Sequence, residues 1–106
     1  METRLEESTR ILEKYPDRIP ILVNKKQGCD IPEMEKKKFL VPRDMTLTQF
    51  IFVIRKRLVL ESSKALFFTM NDRMEVGNRK ISDIYLEHKE DDGFLYITYS
   101  SENTFG

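Results

Sequence analysis

Catalytic and metal-binding side chains are scarce in this chain: cysteine and histidine occur once each, as Cys29 and His88. A single cysteine cannot close an internal disulfide and is compatible with a reducing compartment. One Cys and one His cannot make a Cys/His metal site. Nucleophilic catalysis needs a base beside an activated nucleophile, whereas Cys29 falls in a polar loop and His88 at a charged helix end, with no motif joining them. The four glycines are scattered at positions 28, 77, 93 and 106, so no phosphate-cradling loop exists. Acidic residues cluster at 87–92, the pattern of a solvated turn beside a hairpin. No enzyme, metal or cofactor is read from these residues. Eighteen basic and eighteen acidic side chains cancel, so no global field recruits nucleic acid or anionic lipid. The cations Arg55, Lys56 and Arg57 are accounted for by a helix end, which makes RNA binding remote. The longest apolar-rich run, residues 50–54, is far shorter than the roughly 18 residues that span a bilayer. Charges alternate through residues 1–14, so no signal peptide is marked and the cytoplasm is the default location.

What is present is the composition of one globular domain, 40% hydrophobic and 34% charged. Thr3-Arg4-Leu5-Glu6 has the form of a capping box, and Leu5, Ser8, Leu12 and Tyr15 follow at helical spacing with Ile11 beside them. Pro16 stops that helix at Tyr15. Ile19, Ile21 and Val23 alternate with Pro20, Leu22 and Asn24, which predicts a strand covered on both faces. Residues 25–33 read as a loop, and residues 36–42 (KKKFLVP) as a short strand protected by charge at its start and proline at its end, the devices of a sheet edge. Thr46-Leu47-Thr48-Gln49 is a second capping box; Leu47, Phe50, Ile51, Ile54 and Leu58 then share one helical face. Residues 65–70 read as a third strand with Asn71-Asp72 turning out of it, residues 81–88 as a short helix, 90–93 as a turn and 94–99 as the last strand. The order predicts an α+β fold: a β-grasp core over 16–99, an added N-terminal helix over 1–15, and a flexible tail over 100–106.

Two features look functional. A peptide can add to an exposed strand by main-chain hydrogen bonds, with pockets reading alternate side chains. Along residues 36–42, Lys36, Lys38 and Leu40 point one way and Phe39 and Val41 the other. Glu7, Ile11, Pro20 and Leu22 are expected on the first face; Phe50, Val53, Ile54 and Met45 on the second. Those two pockets would hold an aromatic and an aliphatic anchor three residues apart. Cations at the rim, the lysines and Arg18, favour acids flanking the anchors. An ordinary edge strand whose lysines deter aggregation is the alternative. The second feature is the tail ending Phe105-Gly106. Threading a terminal carboxylate into another enzyme's active site suits glycine, which has no side chain to obstruct the approach. Taken alone, a final glycine says little.

The strings YPDRIPILV (15–23), KKKFLVP (36–42), TQFIFVIRKRL (48–58), ALFF (65–68) and DGFLYITYSSENTFG (92–106) closely resemble the autophagy-related protein eight family of ubiquitin-like modifiers. That family includes the GABA-receptor-associated protein and the microtubule-associated protein light chains. The resemblance implies conjugation of Gly106, through adenylate and thioester, to phosphatidylethanolamine. It implies activating and conjugating enzymes, a deconjugating cysteine protease, and cargo receptors bearing a W/F/Y-x-x-L/I/V motif, with the lipid-linked form on autophagosomal membranes. By position it implies an aromatic pocket of Glu7, Ile11, Pro20, Lys36, Lys38, Leu40 and Phe94. The implied aliphatic pocket is Phe39, Val41, Pro42, Met45, Phe50, Val53 and Ile54, with Arg18 and Arg57 as rim cations. Conjugation to protein lysines, or no conjugation at all, are the competing expectations. Three departures stand out. The chain begins where the family's second helix begins, so the first helix is expected to be absent. Residues 72–80 (DRMEVGNRK) lack the family's proline- and serine/threonine-rich loop, and Lys80 stands where a capping threonine is common. Gly106 is already terminal, which implies either a protein that needs no trimming or a trimmed form.

Overall fold

The structure, a computed structural model, describes residues 2–60, 65–75 and 77–101. Its elements are α1 (Arg4–Lys14), β1 (Arg18–Lys25), β2 (Lys38–Pro42), α2 (Leu47–Leu58), β3 (Phe67–Met70), β4 (Arg73–Met74), α3 (Ile81–His88) and β5 (Leu95–Ser100). Both capping boxes form. Thr3 Oγ1 accepts from the Glu6 amide at 3.1 Å while the Glu6 carboxylate accepts from the Thr3 amide at 3.3 Å. Thr46 and Gln49 exchange the equivalent bonds at 3.2 and 2.9 Å. Lys80, at the start of α3, makes no side-chain cap.

The sheet order is β2-β1-β5-β3-β4. β1 and β5 run parallel at the centre, and the remaining pairs are antiparallel. This is the mixed-sheet, ubiquitin-like arrangement expected of the α+β fold. β4 went unread in the sequence because two residues carry no period-2 pattern. The turn before it creates the pairing: Asn71 and Asp72 both take positive φ, 53° and 62°, as tight hairpin turns require. The last strand begins one residue later than expected, and Phe94 precedes it.

β1 is buried on both faces. Toward α2 and α3, Ile19, Ile21 and Val23 join the main core, where the fully buried Phe50 meets Phe39 and Phe68 edge-on with ring centroids 5.7 and 6.1 Å away. Toward α1, Leu22 packs with Ile11 and Phe94, with Tyr96 alongside. Ser8 anchors α1: its hydroxyl is directed at the Asp92 carbonyl, 2.6 Å away, and the Leu5 carbonyl at 3.1 Å. Gly93 lies so close beneath that a Cβ there would stand 2.2 Å from Ser8 Oγ. No helix among the described residues is long and apolar enough to cross a membrane.

Candidate peptide-docking edge

β2 is the outermost strand of the sheet. Its inner side pairs with β1, placing Val41 opposite Ile19, Leu40 opposite Pro20, Phe39 opposite Ile21 and Lys38 opposite Leu22. Among the described residues, no strand lies on its outer side. Side chains alternate as a pleated strand dictates: Phe39 and Val41 are buried, Lys38 and Leu40 exposed. Leu40, 39% exposed, is an aliphatic side chain standing on an open edge.

On the α1 side lies a cleft of about 430 Å³ lined by Leu22, Lys36 and Lys38, together with Arg4, Asn24, Glu35, Lys37 and Tyr96. Ile11 and Phe94, expected in this pocket, are instead buried with Leu22 in the small core beneath α1 and do not line the cleft; Tyr96 packs against that core. Pro20 is buried on β1 beside Leu40. Glu7 reaches from α1 to β2, both carboxylate oxygens accepting from Lys38 Nζ at 2.9 Å. Half of the Lys38 side chain is in water, so this pair stabilises little and can reopen readily. The Tyr96 hydroxyl donates to Asp92; burial, then that bond, push its pKa up and keep it a neutral donor.

On the α2 side a cleft of about 640 Å³ is lined by Pro42, Asp44, Met45, Thr48, Gln49, Phe52 and Val53. Pro42, Met45 and Val53 were expected there. Phe39, Val41, Phe50 and Ile54 stand instead in the main core, Phe50 and Ile54 without exposed surface, so these two can shape an incoming side chain's seat but cannot touch it. The reason is helical phase. The stripe Leu47, Phe50, Ile54 and Leu58 faces the sheet, and the neighbouring stripe of Gln49, Phe52 and Val53 is left to wall the cleft. Phe52, 57% exposed with Lys56 Nζ 4.6 Å from its ring centroid, was missed. Its signal was present: a large aromatic off the apolar stripe of an amphipathic helix.

The rim cations separate to the two ends of the edge. Arg18 starts β1 opposite Pro42. Arg57 stands at the other end, its guanidinium carbon 5.4 Å from the Phe39 ring centroid; Lys36 Nζ approaches the same ring to 5.3 Å. Phe105 and Gly106 lie outside the described residues. Cys29 is half-buried in its loop, its thiol against the Lys26 carbonyl. His88, away from the edge, has Nε2 2.7 Å from Glu75 Oε1. Glu75, Glu87 and His88 gather closely enough for a cation, but Arg79 Nη1, 3.0 Å from Glu75 and 2.6 Å from Glu87, supplies that positive charge itself.

Fold and edge together define a ubiquitin-like domain whose edge strand β2 has a cleft on each side of it. A family model described as "Autophagy protein Atg8 ubiquitin like" matches residues 3–106. The chain is 52% identical over 106 residues to autophagy-related protein 8a of Arabidopsis thaliana, covering 100% of this chain and 87% of that protein. It is 51% identical over 105 residues to autophagy-related protein 8 of Candida glabrata, covering 99% and 89%. The crystal structure of Trypanosoma brucei ATG8 superposes with a TM-score of 0.89 at 45% identity, covering 97% of this chain and 89% of that one. The chain belongs to the Atg8 family of autophagy-related ubiquitin-like proteins.

Proposed function

We propose that this protein is an autophagy modifier that docks receptors bearing a W/F/Y-x-x-L/I/V motif along β2 and is fixed to membrane through Gly106. The observation that carries the docking half is the pair of clefts on opposite faces of one open edge. An extended peptide advances about 3.3 Å per residue and alternates faces, so residues i and i+3 lie about 10 Å apart on opposite sides. The α1-side cleft sits at the Lys36–Lys38 end of the edge and the α2-side cleft at the Pro42 end. A peptide running parallel to β2 therefore presents its aromatic residue first and its aliphatic residue three later, which is the order of the motif. Acids preceding the aromatic meet Lys36, Lys37 and Arg57.

Membrane attachment rests on family membership, shown by the match over residues 3–106, with Gly106 as the residue conjugated. An activating enzyme adenylates the Gly106 carboxylate with ATP, releasing pyrophosphate; its cysteine thiol displaces AMP to give a thioester, and the conjugating enzyme's cysteine takes over the acyl group by thioester exchange. The amine of phosphatidylethanolamine then displaces the conjugating enzyme's thiolate, leaving an amide that a cysteine protease hydrolyses. The protein itself is the acyl donor and carries out no catalysis. It is cytoplasmic until lipidated and thereafter partly on autophagosomal membranes.

Titration with an acidic-acidic-W-x-x-L peptide tests the dock. Binding should exceed that of a scrambled peptide and fall about tenfold in Leu40→Ala, a change of roughly 1.4 kcal/mol; equal binding of both peptides refutes it. Intact mass of membrane-recovered protein tests the tail: a phosphatidylethanolamine adduct lost on deletion of Gly106 is expected, and an adduct formed without Gly106 refutes it.

A further inference from the structure

Residues 77–80, within the stretch where the chain departs from the family pattern, form a strap bonded to the start of α2, whose Thr48 lines the α2-side cleft. The first amides of a helix lack intrahelical partners, and in α2 a distant segment supplies two of them. The Leu47 amide donates to the Arg79 carbonyl at 3.0 Å and the Thr48 amide to the Gly77 carbonyl at 2.9 Å. Thr48 Oγ1 also donates to the Gly77 carbonyl, at 2.8 Å. The first turn of α3, which directly follows the strap, fastens the loop that forms the cleft's other wall: the Ile81 amide donates to the Met45 carbonyl at 2.7 Å and the Ser82 amide to the Arg43 carbonyl at 3.2 Å. Of the residues that line the cleft, Thr48 is thus tied to the strap and Met45 to the start of α3 that the strap leads into.

The strap is in turn tied to α3 by charge. Arg79 joins Glu75 and Glu87, and Glu75 is joined to His88, whose Nδ1 lies 3.0 Å from the Asn71 amide nitrogen at the β3–β4 turn. The Glu75 and His88 side chains are mostly buried, at 13% and 9% exposure, so that pair is better shielded from salt than the Arg79–Glu87 contact, at 31% and 55%. Releasing Arg79 would free the strap while leaving the hydrophobic core untouched.

We infer that Arg79, bridging Glu75 and Glu87, is a positioning residue for the α2-side cleft, holding Met45 and Thr48 at the spacing that selects the aliphatic anchor. This rests on the docking function proposed above. A hydrophobic pocket distinguishes side chains differing by one methylene about tenfold. Wild type should therefore prefer W-x-x-L over W-x-x-V peptides about tenfold, and Arg79→Met should reduce that preference to about twofold. Arg79→Lys, which keeps the charge, should retain most of it. The preference for Trp over Phe at the aromatic position should not change. Hydrogen exchange at the Leu47 and Thr48 amides should accelerate about tenfold in Arg79→Met without peptide present. Gly77→Ala approaches the strap from its other end, since a Cβ there would stand 2.2 Å from Thr48 Oγ1, and should produce the same selective loss. An unchanged Leu-over-Val ratio with unchanged exchange at Leu47 and Thr48 overturns the inference, as does an equal loss at both anchors. A wild-type protein that binds no W-x-x-L peptide refutes the docking reading instead, and the exchange measurement still decides whether Arg79 holds the strap.

Discussion

Replacing Gly93 with alanine should dislodge α1 from the sheet. Gly93 has φ +82°, and its Cβ position lies 2.2 Å from Ser8 Oγ and 2.9 Å from Ser8 Cβ. Rotating the hydroxyl relieves the first clash but not the second, so helix and turn must separate. The left-handed conformation costs alanine about 1–2 kcal/mol, and overpacking a tight contact costs about 1–3 kcal/mol. Separation also weakens the bond from Ser8 to the Asp92 carbonyl, worth about 1 kcal/mol. These overlap, so the expected loss is about 3–4 kcal/mol, a large part of the roughly 5–15 kcal/mol that stabilises a domain. With a urea m-value of about 2 kcal/mol/M, the midpoint should fall by about 1.5–2 M. Adding Ser8→Gly removes both contacted atoms and should recover the overpacking share but not the backbone share. Because α1 carries Arg4, which lines the first cleft, and Glu7, which holds the cleft's Lys38, the variant should lose aromatic-anchor affinity more than aliphatic-anchor affinity. A midpoint within about 0.25 M of wild type would show that α1 and the turn are not in this close contact.

Phe50 and Phe52, two residues apart on α2, should behave oppositely. Phe50→Ala removes a ring with no exposed surface and should cost about 3–5 kcal/mol in urea melts, whereas Phe52→Ala should cost well under about 1 kcal/mol yet weaken W-x-x-L binding. Comparable stability losses would mean the helix is rotated from the phase described. Val59 closes α2 with φ 53° and is 86% exposed. A β-branched residue is strained there, so Val59→Gly should raise stability by about 1 kcal/mol; a lower melting midpoint counts against it. Burial would raise the Glu75 pKa, but hydrogen bonds from His88 and Arg79 hold it below the usual value. A depressed folded pKa contributes stability above the unfolded value of about 4.3, and that contribution disappears as pH falls through the folded one. The stability gap between wild type and Glu75→Gln should accordingly close below about pH 4; a gap that persists unchanged would remove the carboxylate's charge from the explanation.

Local chemistry was legible in the sequence. Both capping boxes, the stop before Pro16, the Asn71-Asp72 turn and the alternation of residues 38–42 depend on contacts only a few residues apart. The covered character of β1 was equally readable, because its two faces are apolar in the chain itself. Pocket membership was only half readable. Pro42, Met45 and Val53 line the α2-side cleft, but apolar pattern alone cannot separate a side chain that walls a cleft from one buried beneath it. Phe50 and Ile54 were therefore placed with the lining, while Phe52 was passed over. Arg4, Asn24 and Tyr96 of the other cleft belong to three separate elements and have no common signal along the chain.

Composition and the spacing of a few residues set the helices, the turns and, β4 apart, the order of elements of the α+β fold. Tertiary structure decided the rest. It paired β1 with β5 in parallel and left β2 open at the edge. It chose which stripe of α2 faces the sheet. It brought Glu75, Arg79, Glu87 and His88 into one cluster and laid Gly77 and Arg79 over the start of α2. Each of these depends on backbone hydrogen bonds and side-chain approaches between residues far apart in the chain, where no local propensity acts and only the folded packing sets the distance.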